Sequence, residues 1–295
     1  MVNIFVAGGS GFIGKNLVKR LEKEGHAVQN LDIKNGPDCN VAYFPRIEFF
    51  MQHNDICFHL ANIPAHRLSI HSPHDIIFNN YQTTLNIAES VRQSEKCNKI
   101  IFLSSFAVYG KQKTPWTEYM PLQATTPYGL CKIQCEQLLQ KYHEWYGIDI
   151  IIIRPSNVFG EYEKLHQPYQ VIPKWFDDLR CEQPLIVHGE KTSRDFTYVG
   201  DIIEGIVKAN EKDGYEIYNL CSGQTVLLKD IAYEISDKVE MVDLPQHETE
   251  KWYGSYEKAE RELGFKPTKN IWEWLDERKR ETERKKVNAE LGMRK

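Results

Sequence analysis

Three groups of residues stand at spacings that can do chemistry. The first is Tyr128 and Lys132, in Thr126-Pro-Tyr-Gly-Leu-Cys-Lys132. Pro127 suits a helix start, and a helix places residues four apart on one face. An ammonium near a phenol favours the phenolate, so Lys132 is expected to lower the tyrosine pKa from its reference of about 10. Tyr128 then serves as a general base near neutral pH. Tyr-x-x-x-Lys is common by chance in helices, so the pair needs corroboration. The second group is Ser105, in Leu103-Ser-Ser-Phe-Ala-Val-Tyr-Gly110, at the end of an apolar run that reads as a strand. A hydroxyl there reaches the cleft that the Tyr128 helix borders, and can bond the same substrate oxygen. Its plain alternative is a serine capping a strand end.

The third group is Gly8, Gly11 and Gly14, with Asp32 some way beyond. The elements around them give the pattern its meaning. Ile4 to Ala7 is an apolar run that reads as a buried strand. Ile13, Leu17 and Leu21 recur at helical spacing, and Gly25 closes that helix. A second strand, Val28 to Leu31, ends in Asp32. This is a β-turn-α-β unit of about 30 residues, the context that turns a glycine pattern into a dinucleotide site. Missing side chains let the backbone approach a pyrophosphate, and free N–H groups at the helix start bind it. A carboxylate at Asp32 accepts from the adenosine ribose hydroxyls and repels a 2′-phosphate, which favours NAD over NADP. The alternative is a tight turn packing helix on strand.

Strands and helices keep alternating: strand 56–60, helix 74–93, strand 99–104, helix 127–146 and strand 148–153. Near-continuous β-branched runs imply a sheet buried on both faces. Beyond Arg154 come helix 172–179, strand 185–188, helix 199–210, strand 217–220, helix 227–237, strand 239–244 and helix 257–263. The expected fold is α/β, a Rossmann-type doubly wound parallel sheet with a smaller mixed α/β substrate lobe. The Rossmann domain is expected over 1–155, with about 190–212 returning to it. The lobe takes 156–189 and 213–275, and 276–295 is a charged C-terminal helix or tail.

The totals narrow the classes. The chain has 295 residues and net charge −4, so no global basic signature points to nucleic acid. No apolar run nears the roughly 20 residues of a membrane span, and no signal-peptide pattern opens the chain. A cytoplasmic protein is expected. Its seven cysteines are odd in number and best read as reduced thiols, although Cys131 and Cys135 lie four apart in the expected helix. His53, His59, His66, His71 and His74 cluster in sequence, but His59 falls on a buried strand, and no metal is expected.

Taken together, these stretches resemble the extended short-chain dehydrogenases/reductases, in the nucleotide-sugar epimerase/dehydratase family, over nearly the whole chain. Gly8-Gly-Ser-Gly11-Phe12-Ile13-Gly14 resembles the cofactor loop. Asp55-Ile-Cys-Phe-His-Leu60-Ala61 resembles the strand beneath the cofactor. Asn80, opening Asn80-Tyr-Gln-Thr-Thr-Leu-Asn86, resembles an Asn that steadies the neighbouring strand. Arg154-Pro-Ser-Asn157-Val-Phe-Gly160 resembles the turn whose Asn touches a sugar diphosphate. Arg194, within His188 to Asp201, resembles an Arg that grips that diphosphate, a role suited to its bidentate fork. Lys258 to Gly264 resembles a helix near the family's C-terminus.

The resemblance implies Ser105, Tyr128 and Lys132 as catalytic residues and NAD as cofactor. Gly8, Gly11, Phe12, Ile13, Gly14, Asp32, Leu60, Ala61, Asn80, Tyr128 and Lys132 would hold the cofactor. Ser105, Tyr128, Asn157, Gln170 and Arg194 would meet a nucleotide-sugar substrate. It also implies a homodimer paired through a four-helix contact, with neither nucleic acid nor membrane as partner.

Several departures sharpen the reading. Dehydratases of this family have Asp-Glu where this chain has Phe106-Ala107, so dehydration is disfavoured. The stretch Asn40 to Asn54 lacks the segment that usually touches adenine. Ser255 stands where the family has Asp, and the second diphosphate-binding Arg has no clear match, with Lys251 its candidate substitute. Trp252, Trp272 and Trp274 are read as packing residues before base-stacking ones. The favoured activity is 4-epimerisation of a nucleotide sugar. A 4-keto-sugar reductase or dehydrogenase comes next, and a non-catalytic dinucleotide-sensing protein last.

Overall fold

The apolar runs become strands because every second residue faces an opposite helical layer. The computed structural model describes residues 1–36, 39–42, 47–63, 68–163 and 170–280. His66 and positions 281–295 of the charged tail lie outside them. In chain order the strands are β1 Asn3–Ala7, β2 Ala27–Leu31, β3 Ile56–His59, β4 Lys99–Leu103, β5 Asp149–Pro155, β6 Asn157–Phe159, β7 Leu185–His188, β8 Ser193–Arg194, β9 Phe196–Tyr198, β10 Tyr215–Leu220, β11 Val226–Leu227, β12 Val239–Val242 and β13 Lys251–Trp252. The helices are α1 Phe12–Lys23, α2 Ile47–Met51, α3 Leu68–His71, α4 Pro73–Arg92, α5 Pro127–Tyr146, α6 Val171–Arg180, α7 Val199–Ala209, α8 Leu228–Ile235 and α9 Glu257–Leu263. A helical stretch also spans 271–280.

Six strands pair in parallel in the order β10-β5-β4-β3-β1-β2. Phe5, Ala7, Cys57, Ile100, Phe102, Ile150 and Ile152 face α4 and α5 through Ile87, Val91, Cys131 and Leu139. Ile4, Val6, Phe58, Ile101, Ile151 and Ile153 face α1 and α7 on the other side, with Ala259 and Leu263 of α9 added. The strand period of two thus feeds two cores from one sheet. The chain leaves β1 toward β2 on one side and continues through β3 on the other. The switch point therefore lies between the carboxyl ends of β1 and β3, where open α/β sheets bind ligands.

One expectation changes. The sequence puts residues 217–220 in the lobe, but β10 extends the main sheet, pairing Tyr215 to Leu220 with Ile150 to Pro155. Its buried Tyr218 and Leu220 join the α7–α9 core. In the 40–54 stretch, α2 forms, burying Ile47 and Met51 beneath the sheet edge. The lobe has its own core: Ile172, Trp175 and Phe176 of α6, Leu185 and Val187 of β7, and Leu228 and Ile231 of α8, with Trp274. Trp274 is therefore a packing residue. β12 pairs with β7, and β8 lies between β11 and β13.

Candidate active site

One cleft of about 490 Å³ opens at the switch point between sheet and lobe, and every residue expected to touch cofactor or substrate lines it. On the sheet side, Gly8 follows β1 with φ of 86°. A Cβ there would come within 2.6 Å of the Ala61 backbone nitrogen, so only glycine lets the two strand ends approach this closely. At Gly14 a side chain would collide with the Gly8 carbonyl. Helix α1 starts at Gly11 with no side-chain cap and no acidic residue in its first turn. Its first amides therefore have no partner within the helix and suit an anion.

Asp32 is 6% exposed, and its two oxygens accept from Ser10 N and Lys34 N, both at 2.9 Å. It ties the glycine turn to the end of β2. A carboxylate has about four lone-pair sites, so about two remain for ribose hydroxyls. The bare backbone at Gly8, the uncapped helix start and these spare lone pairs together fit a dinucleotide. Asn80 lines the cleft and also braces its wall. It accepts from Ile63 N at 2.8 Å and donates to Ile63 O at 3.4 Å, holding the chain beyond Leu60 and Ala61 in place.

Tyr128 and Lys132 arrive on α5, whose start is set by Pro127 and by Thr126, which accepts from Gly129 N at 3.2 Å. The Tyr128 amide donates to Ser69 Oγ at 3.1 Å. Ser105 Oγ accepts from Ala107 N at 3.1 Å, which leaves its hydroxyl proton to donate into the cleft. Beside it, Ser104 bonds the carboxylate of Glu136, which also receives Arg154 at 2.6 Å. This buried ion pair, 2% and 3% exposed, bolts β5 to α5 behind the site.

The electrostatics reverse one expectation. Burial pushes the Tyr128 phenol up to about 12, while hydrogen bonds from Asn62 and Ser105 pull against it. Lys132 is 3% exposed, donates to Leu103 O at 2.7 Å and sits 4.5 Å over the Phe102 ring. Its ammonium is 6.0 Å from the Tyr128 ring centroid, and burial lowers its own pKa. Burial therefore moves both groups away from their charged forms. His59 packs under this pair, its Nε2 2.9 Å from Thr84 Oγ1, and burial holds its pKa well below the usual value. Among the described residues, no group of three or more His, Cys, Asp or Glu is placed to hold a metal.

On the lobe side, Asn157 Nδ2 donates to Asp195 O at 2.9 Å, and Gln170 lines the cleft with a buried Oε1 that has no partner among the described residues. Arg194 lies 3.2 Å from Glu248 and 5.3 Å over the Trp252 ring. Lys251 is exposed and outside the cleft; its neighbour Trp252 lines it instead. Phe106 and Ala107 are buried at 0% and 3%, so no carboxylate stands at the dehydratase positions. Sequence reasoning missed Asn62, Glu163 and Glu248 as cleft residues. Asn62 alone carried a signal, following the strand-end pair Leu60-Ala61.

Residues 4–221 match the sequence model of the NAD dependent epimerase/dehydratase family. The chain belongs to that family. It is accordingly an NAD-dependent enzyme. A Methanocaldococcus jannaschii protein provisionally assigned as a UDP-glucose 4-epimerase is 32% identical over 300 residues, covering 92% of this chain and 95% of the relative. The UDP-glucuronate 4-epimerase of Thermodesulfobacterium geofontis is 27% identical, covering 97% of both chains. The solved UDP-N-acetylglucosamine 4-epimerase of Methanobrevibacter ruminantium, in complex with UDP-N-acetylmuramic acid, superposes with a TM-score of 0.83. It is 26% identical, over 93% of this chain and 95% of its own.

Proposed function

We propose that this NAD-dependent enzyme is a nucleotide-diphosphate-sugar 4-epimerase of the UDP-hexose type. The observation that carries the reading is the convergence of Tyr128, Ser105 and Lys132 on the cleft built from Gly8, Gly11, Gly14 and Asp32. The 4-epimerase relatives supply the substrate class, and Phe106 and Ala107 argue against water elimination.

Bound NAD supplies a hydride acceptor and, when oxidised, a positive charge. The chain's residues do the rest. Tyr128 takes the proton from the sugar hydroxyl at C4, and Ser105 donates to the same oxygen. Lys132 holds a charge beneath the phenol, which favours its ionised form. Epimerisation returns both proton and hydride, so the cofactor ends unchanged and no second reductant is consumed. Arg194 would exchange Glu248 for the diphosphate, whose oxygens match its fork. Asn157 and Gln170 face the same end of the cleft. A homodimer belongs to the reading: α4 and α5 expose Phe78 at 57% and Trp145 at 63% on one outer face. Sedimentation of wild type against Phe78→Glu tests that pairing.

The deciding experiment is incubation with UDP-glucose, UDP-N-acetylglucosamine and UDP-glucuronate, read by NMR for the 4-epimer. Conversion without net NAD reduction supports the proposal. NADPH-driven reduction of a 4-keto sugar, with no epimer formed, would replace it with the reductase. Release of a 4-keto-6-deoxy sugar at comparable rates would restore the dehydratase.

A further inference from the structure

Asn62 stands just past the carboxyl end of β3, where α5 brings Tyr128. Its Nδ2 donates to the Tyr128 phenol oxygen at 3.4 Å. The next residue, Ile63, is held at both its N–H and its carbonyl by Asn80, so the backbone that carries Asn62 is fixed. Asn62 Oδ1 is buried without a partner among the described residues. The amide pairs the end that faces the phenol, and it lines the cleft.

We propose that Asn62 is a positioning residue for the reaction, orienting Tyr128 and stabilising its phenolate through a donated amide N–H. This rests on the reading of Tyr128 as the general base. A neutral phenol both donates and accepts, whereas a phenolate only accepts, so an N–H donor favours the charged form. At 3.4 Å the bond is long; hydrogen bonds to a charged oxygen are shorter and stronger than neutral ones, so it strengthens as the proton leaves. Ser105 is a second side chain, among the described residues, that hydrogen-bonds the phenol and favours ionisation.

Among the described residues, further charged and titratable groups act on the phenol at longer range. On α5 itself, Lys132 lies 6.0 Å from the ring, and the thiols of Cys131 and Cys135 oppose ionisation. From β3, His59 is kept neutral by burial. From the lobe, Trp252 packs against the Tyr128 cluster with the Arg194–Glu248 pair behind it.

The test compares wild type, Asn62→Ala, Asn62→Asp and Tyr128→Phe. Ultraviolet difference titration, each protein against its Tyr128→Phe counterpart, reads the Tyr128 phenolate without substrate. The pH profile of kcat is measured with UDP-glucose as probe, with KM and NAD affinity alongside. Asn62→Ala should move the phenol titration and the acid limb of kcat up by about one unit, as expected for one bond to a charged oxygen. KM and NAD affinity should stay within about twofold, because the contact is made to the base. Asn62→Asp should move the titration further, by adding like charge. A phenol titration that stays put in Asn62→Ala overturns the proposal. So does one that falls, which would mean the amide oxygen faces the phenol and steadies its neutral form. A Tyr128→Phe variant that keeps wild-type turnover overturns the base reading instead. Inactive Tyr128→Phe with an unmoved Asn62→Ala titration refutes only the role of Asn62.

Discussion

Replacing Asp32 by Asn tests both the shape of the cofactor site and its selectivity. In the folded protein the carboxylate accepts from Ser10 N and Lys34 N, one on each oxygen, at 2.9 Å. An amide offers one oxygen, so its NH2 group must face one of those two N–H donors. The orphaned donor should cost about 1–3 kcal/mol of stability, the range for a buried unsatisfied group. The charged acceptor for ribose hydroxyls is lost as well. A hydrogen bond to a charged group is worth about 1.5–3 kcal/mol, so NAD affinity should fall on the order of 10- to 150-fold. NADP should lose less or gain, because the negative charge that repels a 2′-phosphate is gone. Lys34 lines the same cleft, its Nζ 3.3 Å from Ser10 O, and stands ready to attract that phosphate. Calorimetric titration of NAD and NADP into both proteins, with a melting curve of each, measures all three effects. Equal NAD and NADP affinity in the wild type would refute the selectivity argument. An Asn variant that melts like wild type and keeps its NAD preference would show that Asp32 serves neither turn nor ribose.

Tyr128→Phe should lose at least about 10² in kcat, the lower range for a general base, while folding and NAD binding survive. Lys132→Met should weaken NAD binding as well as turnover, and the double variant should lose far less than the product of the two; a multiplicative result would separate the lysine from the tyrosine. Glu163, buried in the cleft wall and 7% exposed, has its pKa raised to about 8 by burial, against a bond from Gly160 N and the charge of Arg278. The folded state therefore holds a proton that the unfolded chain has released above about 4.5, and stability contributed below that value is lost as pH rises to about 8. Glu163→Gln should raise the melting temperature relative to wild type by a growing margin from pH 5 to about 8; a margin independent of pH would contradict the burial argument.

Much of this site was legible because its determinants are local. The alternation of Ile4 and Val6 with Phe5 and Ala7 reads directly as a strand buried on two faces. Gly8, Gly11 and Gly14 mark a turn whose tolerance for side chains is set within a few residues. Pairings across the chain are another matter. The Ile217–Leu220 pattern specifies a strand, but nothing in it names β5 as the neighbour, so the sequence alone does not put β10 in the main sheet. Asn62 meets Tyr128 across 66 positions, and Arg194 meets Glu248 across 54. Such contacts leave no periodic trace. The electrostatics of Tyr128 and Lys132 show the limit most sharply. Spacing on a helix correctly brought the two together and implied that one would ionise the other. It carried no information on how much water either would keep. At 8% and 3% exposure, desolvation is the largest influence on both and disfavours the charged form of each. The donors that offset burial, Asn62 just beyond β3 and Ser105 just beyond β4, come from segments that the tyrosine's own helix cannot reveal. A motif names the reacting groups; the sheet supplies the field in which they react.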